Sequence, residues 1–430
     1  MRATKNDEQQ KRMKLKFNLQ FYTAAYFFIL LFLYHFKVKD YYYWRYIANY
    51  VKYTSFDFSV QRLFIASIIF YINLQYLKRI DSKKLSFAIV YMFFLLITVP
   101  SLIAFTSRNM YPFKLMLYHQ LFFWLLLFFS KVKLNLSNIP SFTKKQGLVI
   151  LTAIIVLGTL PYIIILGPHI NLENLLLTDI YETRALMASK SNPYFAYMYS
   201  PFTKIIIPLF IVFALERKKW GLAITGILYL VLFFLFGGHK TVYLGLLLLL
   251  VFYRYSYYQI INIFLKLFIL LMIITIILAL FDNNILWYLI FRRVHFLPTL
   301  LDICYLDFFQ DNYLYYAETL PDSISKSPYQ LQHANLIGKH YFMRPKMGAN
   351  NGLISDGYMN LGFIGVMINV IIISFYFMVL NNLNIKAKYF GMYFLVIFSF
   401  ISSSLPTVLL THGAFLLLVV SIFFLNEKNK

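Results

Sequence analysis

The stretch "GANNGLISDGYMNLGFIGVMINVIIISFYFMVL", residues 348–380, begins in turn-forming residues and ends in a strongly apolar run. That run is long enough to cross a hydrocarbon core of ~30 Å. Its mouth carries Asn350, Asn351, Asp356 and Asn360, with Gly352, Gly357, Gly362 and Gly365 between and beyond them. Outward from this segment the pattern repeats along the whole chain. Of 430 residues, 60% are hydrophobic, 20% aromatic and only 13% charged, against about 25% charged in an ordinary soluble domain. Apolar segments lie near 17–36, 60–77, 85–104, 113–130, 147–167, 196–215, 220–236, 241–253, 259–280, 352–380, 389–403 and 408–425. The chain reads as an all-α polytopic integral membrane protein with about twelve transmembrane helices, one membrane domain over residues 1–430.

The formal charge of +23 would suit a nucleic-acid partner, but the basic residues sit mostly in short loops between apolar segments. That placement orients a membrane protein instead. The basic tail before the first segment and the loops "KRIDSKK", "KVKLNLSNIPSFTKK", "ERKK", "NNLNIKAK" and "NEKNK" are expected in the cytoplasm. An even number of spans then places both termini there. The first segment reads as an uncleaved anchor, because no small-residue cleavage site follows it. A single cysteine, Cys304, excludes an internal disulfide and a cysteine-based metal cluster. No cofactor-binding pattern and no metal-ligand spacing appears.

This orientation leaves two long outer loops, 168–195 and 281–351, and long loops are often functional. In the second, Leu301, Tyr305, Phe308, Asn312 and Tyr315 recur at helical spacing, which predicts an amphipathic helix at the outer surface. Cations on the outer side run against the orientation trend: Arg108, Arg184, Lys240, Arg292 and Arg293. Some cations near a helix end simply snorkel to headgroups. A converging set of Arg184, Lys240, Arg292 and Arg293 would instead hold a diphosphate. On a helix starting near Asn351, Gly352, Asp356 and Asn360 stack at i, i+4 and i+8, a polar stripe descending into the bundle. The glycines there suit close helix packing.

The motifs "IYETR", "PLF" after "TKIII", "GGHKT", "FRRVHFLPTLLDICYLDFF", "ANLIGKHYF" and "ANNGLISDGYMNLGFIGV" together resemble the Wzy-type repeat-unit polymerases of bacterial O-antigen and capsule synthesis. The resemblance implies a multi-pass protein of the bacterial plasma membrane. Such an enzyme transfers a polyprenyl-diphosphate-linked glycan onto a second lipid-linked oligosaccharide repeat unit, without metal or cofactor. It also implies a chain-length regulator and a flippase of the same pathway as partners, beside the membrane lipid, and no nucleic acid. In this reading Arg292, Asp356 and His295 serve catalysis, with His333 a further candidate base, and Arg184, Lys240, Arg292 and Arg293 bind the diphosphate. "LDICYLD" carries Asp302 and Asp307 at the wrong spacing for a nucleotide-sugar DxD motif. An O-antigen-ligase-type transferase shares this chemistry and differs in acceptor. A non-enzymatic flippase or exporter of lipid-linked oligosaccharide is the other reading, although no internal repeat supports it.

Overall fold

The computed structural model describes residues 2–38, 58–106, 110–136, 139–190 and 192–426; Arg108 lies outside them. Every regular element among the described residues is helical. Eight helices are long and apolar enough to cross a membrane: Asn18–Lys37, Val60–Leu77, Leu85–Phe105, Lys144–His169, Pro193–Glu216, Trp220–Gly237, Tyr257–Ala279 and Ile354–Asn381. The chain is a helical membrane protein. Four further segments of the expected twelve form shorter apolar helices, Phe113–Phe129, Thr241–Phe252, Ala387–Ser402 and Ala414–Leu425.

The chain divides into two compact units. The first comprises Met1–Lys131, Tyr258–Phe375 and Ile401–Ser404. Its centre is the Leu85–Phe105 helix, apolar on every side and buried at every position, as expected of a helix enclosed all round. Stacked rings run from Phe27 to Phe70 (centroids 4.3 Å apart) and on to Phe94 (5.8 Å). The helix expected in 281–351 is present as Leu297–Phe308, but it is not an interfacial helix with one free face. Thr299 to Leu306 are all buried. It also stops short of Asn312 and Tyr315. The N–H groups of Leu314 and Tyr315 donate to the carbonyls of Met359 and Asn360, at 2.8 and 3.1 Å. Tyr315 and Tyr316 take positive φ (49° and 59°), outside the helical region.

The second unit comprises Val132–Tyr257, Tyr376–Phe400 and Leu405–Lys430. Its most enclosed long helix is Pro193–Glu216. Tyr162 sits among Phe195 (4.5 Å), Phe233 (4.9 Å) and Phe236 (5.9 Å). Gly391 lets its helix approach the backbone of Leu249 so closely that a Cβ there would lie 2.9 Å from Leu249 Cα, the close approach that small residues permit between membrane helices.

The opening sequence stretch departs most from expectation. The Ile354–Asn381 segment is not one straight helix: Leu361 (φ −143°, ψ 23°) and Gly362 (φ 59°, ψ −138°) break it. The chain reverses there. Asn369 Nδ2 donates to Asp356 Oδ2 at 2.9 Å and to the Leu353 carbonyl at 3.2 Å. On a straight helix the thirteen residues from Asp356 to Asn369 would span about 20 Å. Gly357 and Gly365 make the fold-back possible, since a Cβ on Gly357 would stand 2.5 Å from the Gly365 carbonyl oxygen. The descending stripe of Gly352, Asp356 and Asn360 is therefore replaced by a short arm, 354–360, lying against the start of the long arm.

Candidate functional site

In the second unit, cations gather from separate elements. Arg184 belongs to the helix Ile180–Ser189. Its guanidinium donates through Nε (3.1 Å) and Nη2 (3.0 Å) to the carbonyl of Gly238. Gly238 ends the Trp220–Gly237 helix with φ 61°, so the fork grips the carbonyl-rich end of a helix dipole, where a cation is favoured. A side chain at 238 is excluded twice, by the left-handed backbone and by the Ile180 carbonyl oxygen, 2.9 Å from an added Cβ. This grip fixes the two residues that follow, His239 and Lys240.

Lys204 lies inside the Pro193–Glu216 helix, in a wide π-helical turn, Phe202–Ile206. The sequence explains the turn. Pro208 has no N–H for the carbonyl of residue 204, four positions earlier, and Pro201 interrupts the preceding turn in the same way. Such turns are frequent at functional sites. Lys204 Nζ donates to Ser399 Oγ at 2.9 Å, and the Ser399 hydroxyl donates in turn to the Leu395 carbonyl. The turn at 411–413 packs beside it: a Cβ on Gly413 (φ 88°) would meet Ile205 Cδ1 at 2.7 Å.

His239 packs its ring 5.2 Å from that of Tyr199, whose hydroxyl donates to the Phe233 carbonyl. Burial first, then the Arg184 and Lys204 charges, pushes His239 down to about 4. Burial, Lys204 and His239 do the same to His412, also to about 4. Both rings are neutral near pH 7, in a field set by cations. Lys240 is exposed at the start of the Thr241–Phe252 helix. Among the described residues no carboxylate forms an ion pair with Arg184, Lys204, His239 or Lys240. Elsewhere in the unit the opposite holds: Glu216 is gripped by Lys144 (3.2 Å), by Lys388 and by the Tyr389 hydroxyl (2.9 Å). Arg184 and Lys204, partly buried cations with no carboxylate ion-paired to them among the described residues, suit an anionic ligand.

The remaining candidates lie in the first unit. Arg292, Arg293 and His295 belong to the π-helical segment Trp287–Phe296. Arg292 sits over the Tyr288 ring at 5.8 Å, and Arg293 is exposed. His295 is fully buried among Tyr26, Phe268 and Phe291. Its Nε2 lies 2.5 Å from the Tyr26 hydroxyl, and burial pushes its ring down to about 3. It is packed as a core histidine, closed to a sugar hydroxyl. His333 is paired with Glu318, Nδ1 to Oε2 at 2.5 Å.

Asp356 is buried and doubly held, by Asn369 on Oδ2 (2.9 Å) and by Asn360 on Oδ1 (3.4 Å). Asn360 in turn accepts the Tyr316 N–H at 2.9 Å. A second network escaped the sequence reading. Asp302 faces His119 Nε2 at 3.4 Å and accepts from Asn351 Nδ2 (2.9 Å) and Ser355 Oγ (2.6 Å). It ties the helix Leu297–Phe308 to the mouth of the reversed segment. Asp307 accepts the Tyr341 hydroxyl. Of the four expected diphosphate ligands, Arg184 and Lys240 thus belong to the second unit and Arg292 and Arg293 to the first. The residues clustered with Arg184 that sequence reasoning passed over are Lys204, His239 and His412. A lysine flanked by prolines inside an apolar run was the available signal. No protein-family model, curated protein or solved structure matches the chain.

Proposed function

We propose that the chain is a polysaccharide polymerase of the bacterial plasma membrane. It transfers a polyprenyl-diphosphate-linked glycan onto another lipid-linked repeat unit at the outer face, in O-antigen, capsule or exopolysaccharide synthesis. The observation that carries this reading is the cluster of Arg184, Lys204, His239 and Lys240, in which no carboxylate is ion-paired to a member among the described residues. In the reaction a sugar hydroxyl oxygen of the acceptor bonds to the donor's anomeric carbon, the bond from that carbon to the diphosphate oxygen breaks, and the hydroxyl proton leaves. Charge builds on the diphosphate as it departs, and prearranged cations stabilise that charge most where water is excluded. Arg184, Lys204 and Lys240, all in the second unit, take this role. In the first unit Asp356, held by Asn369 and Asn360, and His295, beside Tyr26, are both buried, so neither is assigned to the acceptor hydroxyl, whose proton passes to water.

Twelve spans with both termini cytoplasmic belong to the same reading, and they put the 168–195 and 281–351 loops on the outer face. The broken helix at Leu361 and Gly362 favours the second reading, a flippase or exporter, since transporters use discontinuous helices. A deletion strain separates the readings. A polymerase deletion leaves glycan of one repeat unit, with lipid-linked single units accumulating on the outer leaflet. Units retained on the cytoplasmic leaflet would identify a flippase. Long polymer still held on the lipid carrier would identify a ligase.

A further inference from the structure

We propose that a groove in the second unit, at one end of three helices, is a binding site for an anionic glycerophospholipid. The groove, about 440 Å³, lies where Pro193–Glu216 ends, Trp220–Gly237 begins and Thr241–Phe252 ends. Leu215, Trp220, Leu250 and Val251 form its apolar wall. Tyr253, Arg254 and Tyr255 form its polar rim. An apolar wall beside aromatic and cationic side chains offers partners for the acyl chain, glycerol and phosphate of a lipid.

Charge complementarity selects the headgroup. Arg217, Lys218 and Lys219 form the loop joining two of the lining residues, and all three are exposed, as is Arg254. None of the four is in an ion pair among the described residues. The acid next to them in sequence, Glu216, is already engaged by Lys144, Lys388 and Tyr389. Basic pockets between membrane helices at one leaflet bind anionic headgroups in this way.

Helix length gives an independent reason. Thr241–Phe252 has 12 residues, about 18 Å of helix at 1.5 Å per residue, against ~30 Å for the hydrocarbon core. A short span draws the leaflet inward to its end. The end of this helix is the rim of the groove, so the nearest phosphate is pulled to the depth of Arg254.

The test uses the full chain in nanodiscs of equal phosphatidylcholine and phosphatidylglycerol. Native mass spectrometry counts the lipids retained on release, and acyl-brominated versions of each lipid are used to quench Trp220. Wild type should retain phosphatidylglycerol in preference to phosphatidylcholine. Arg254→Gln should cut that preference about fivefold, the effect of one cation at a charged surface, and Arg254→Lys should largely restore it. Brominated phosphatidylglycerol should quench more than brominated phosphatidylcholine, with the difference lost in Trp220→Phe. Val251→Trp, which fills the groove from an exposed position, should release the lipid with the charges intact. Equal retention by wild type and Arg254→Gln, or equal quenching by the two lipids, overturns the site. So does a lipid-independent disulfide between copies carrying Trp220→Cys with Cys304→Ser, which would give the groove to a second copy.

Discussion

At the scale of single residues, Lys204 carries the sharpest expectation. A lysine inside an apolar helix, hydrogen-bonded to one serine, holds charge where charge is costly. Lys204→Met keeps the length and removes the charge. Polymer formation by purified protein should fall about 100- to 1,000-fold, the loss typical of one prearranged donor. Its Tm should stay level or rise, because an uncompensated charge has been withdrawn. A ladder of wild-type length at equal protein level would remove Lys204 from the mechanism. His239 supplies the pH dependence. The unfolded chain binds its proton near pH 6.5 and the folded chain only near pH 4. Between those values the unfolded state holds more protons, so this contribution is fully present above 6.5 and is lost as pH falls toward 4. His239→Asn should flatten the fall in Tm across that window, and an unchanged slope would contradict the assignment. Arg184 and Lys240 were legible in the sequence because a cation beside an apolar end stands out. Lys204 and His119 were not, because each sits within a run whose hydropathy already accounts for it.

At the scale of elements, hydropathy located the helices but could not show where one of them turns back. The i, i+4 spacing of Gly352, Asp356 and Asn360 is the same on a straight helix and on a short arm. The glycines read equally as packing surfaces for a neighbour, and the neighbour proves to be the other arm of the same segment. Only the hydrogen bonds from Asn369 to Asp356 and Leu353 distinguish the two. Gly362 is the point on which the reversal depends. Its φ of 59° with ψ −138° is open to glycine almost alone, and a Cβ there would stand 2.5 Å from the Tyr313 hydroxyl oxygen. Gly362→Ala should therefore destabilise the protein by about 1–3 kcal/mol. Thermal unfolding in detergent measures the loss. Gly348→Ala is the control: its nearest neighbour would be 3.5 Å from a new Cβ, so its Tm should hardly move. Equal Tm for the two variants would contradict the reversal.

At the scale of the whole molecule, the apolar segments of the sequence predict about twelve spans, and eight helices meet the length and hydropathy of a span. The shorter four are where the count needs experiment. A Cys304→Ser background should carry Ser325→Cys and Ser82→Cys one at a time. An impermeant thiol reagent applied to intact cells should label the first and miss the second. The reverse pattern would move the 281–351 loop to the cytoplasm and with it the proposed site of polymerisation. The network of Asp302, His119, Asn351 and Ser355 shows what sequence leaves unread at this scale. Its members are 119, 302, 351 and 355 in the chain, and only the fold makes them neighbours.

The Leu85–Phe105 helix, enclosed at every position, has a consequence for how the protein is made. One wall of its enclosure comes from residues 287–308, about 180 residues downstream of its end. During synthesis it must therefore wait in lipid before that wall exists. Its sequence suits the wait. The hydroxyls of Ser101 and Thr106 donate to the carbonyls of Thr98 and Ile103, within their own stretch of chain, so neither needs a partner that has yet to leave the ribosome.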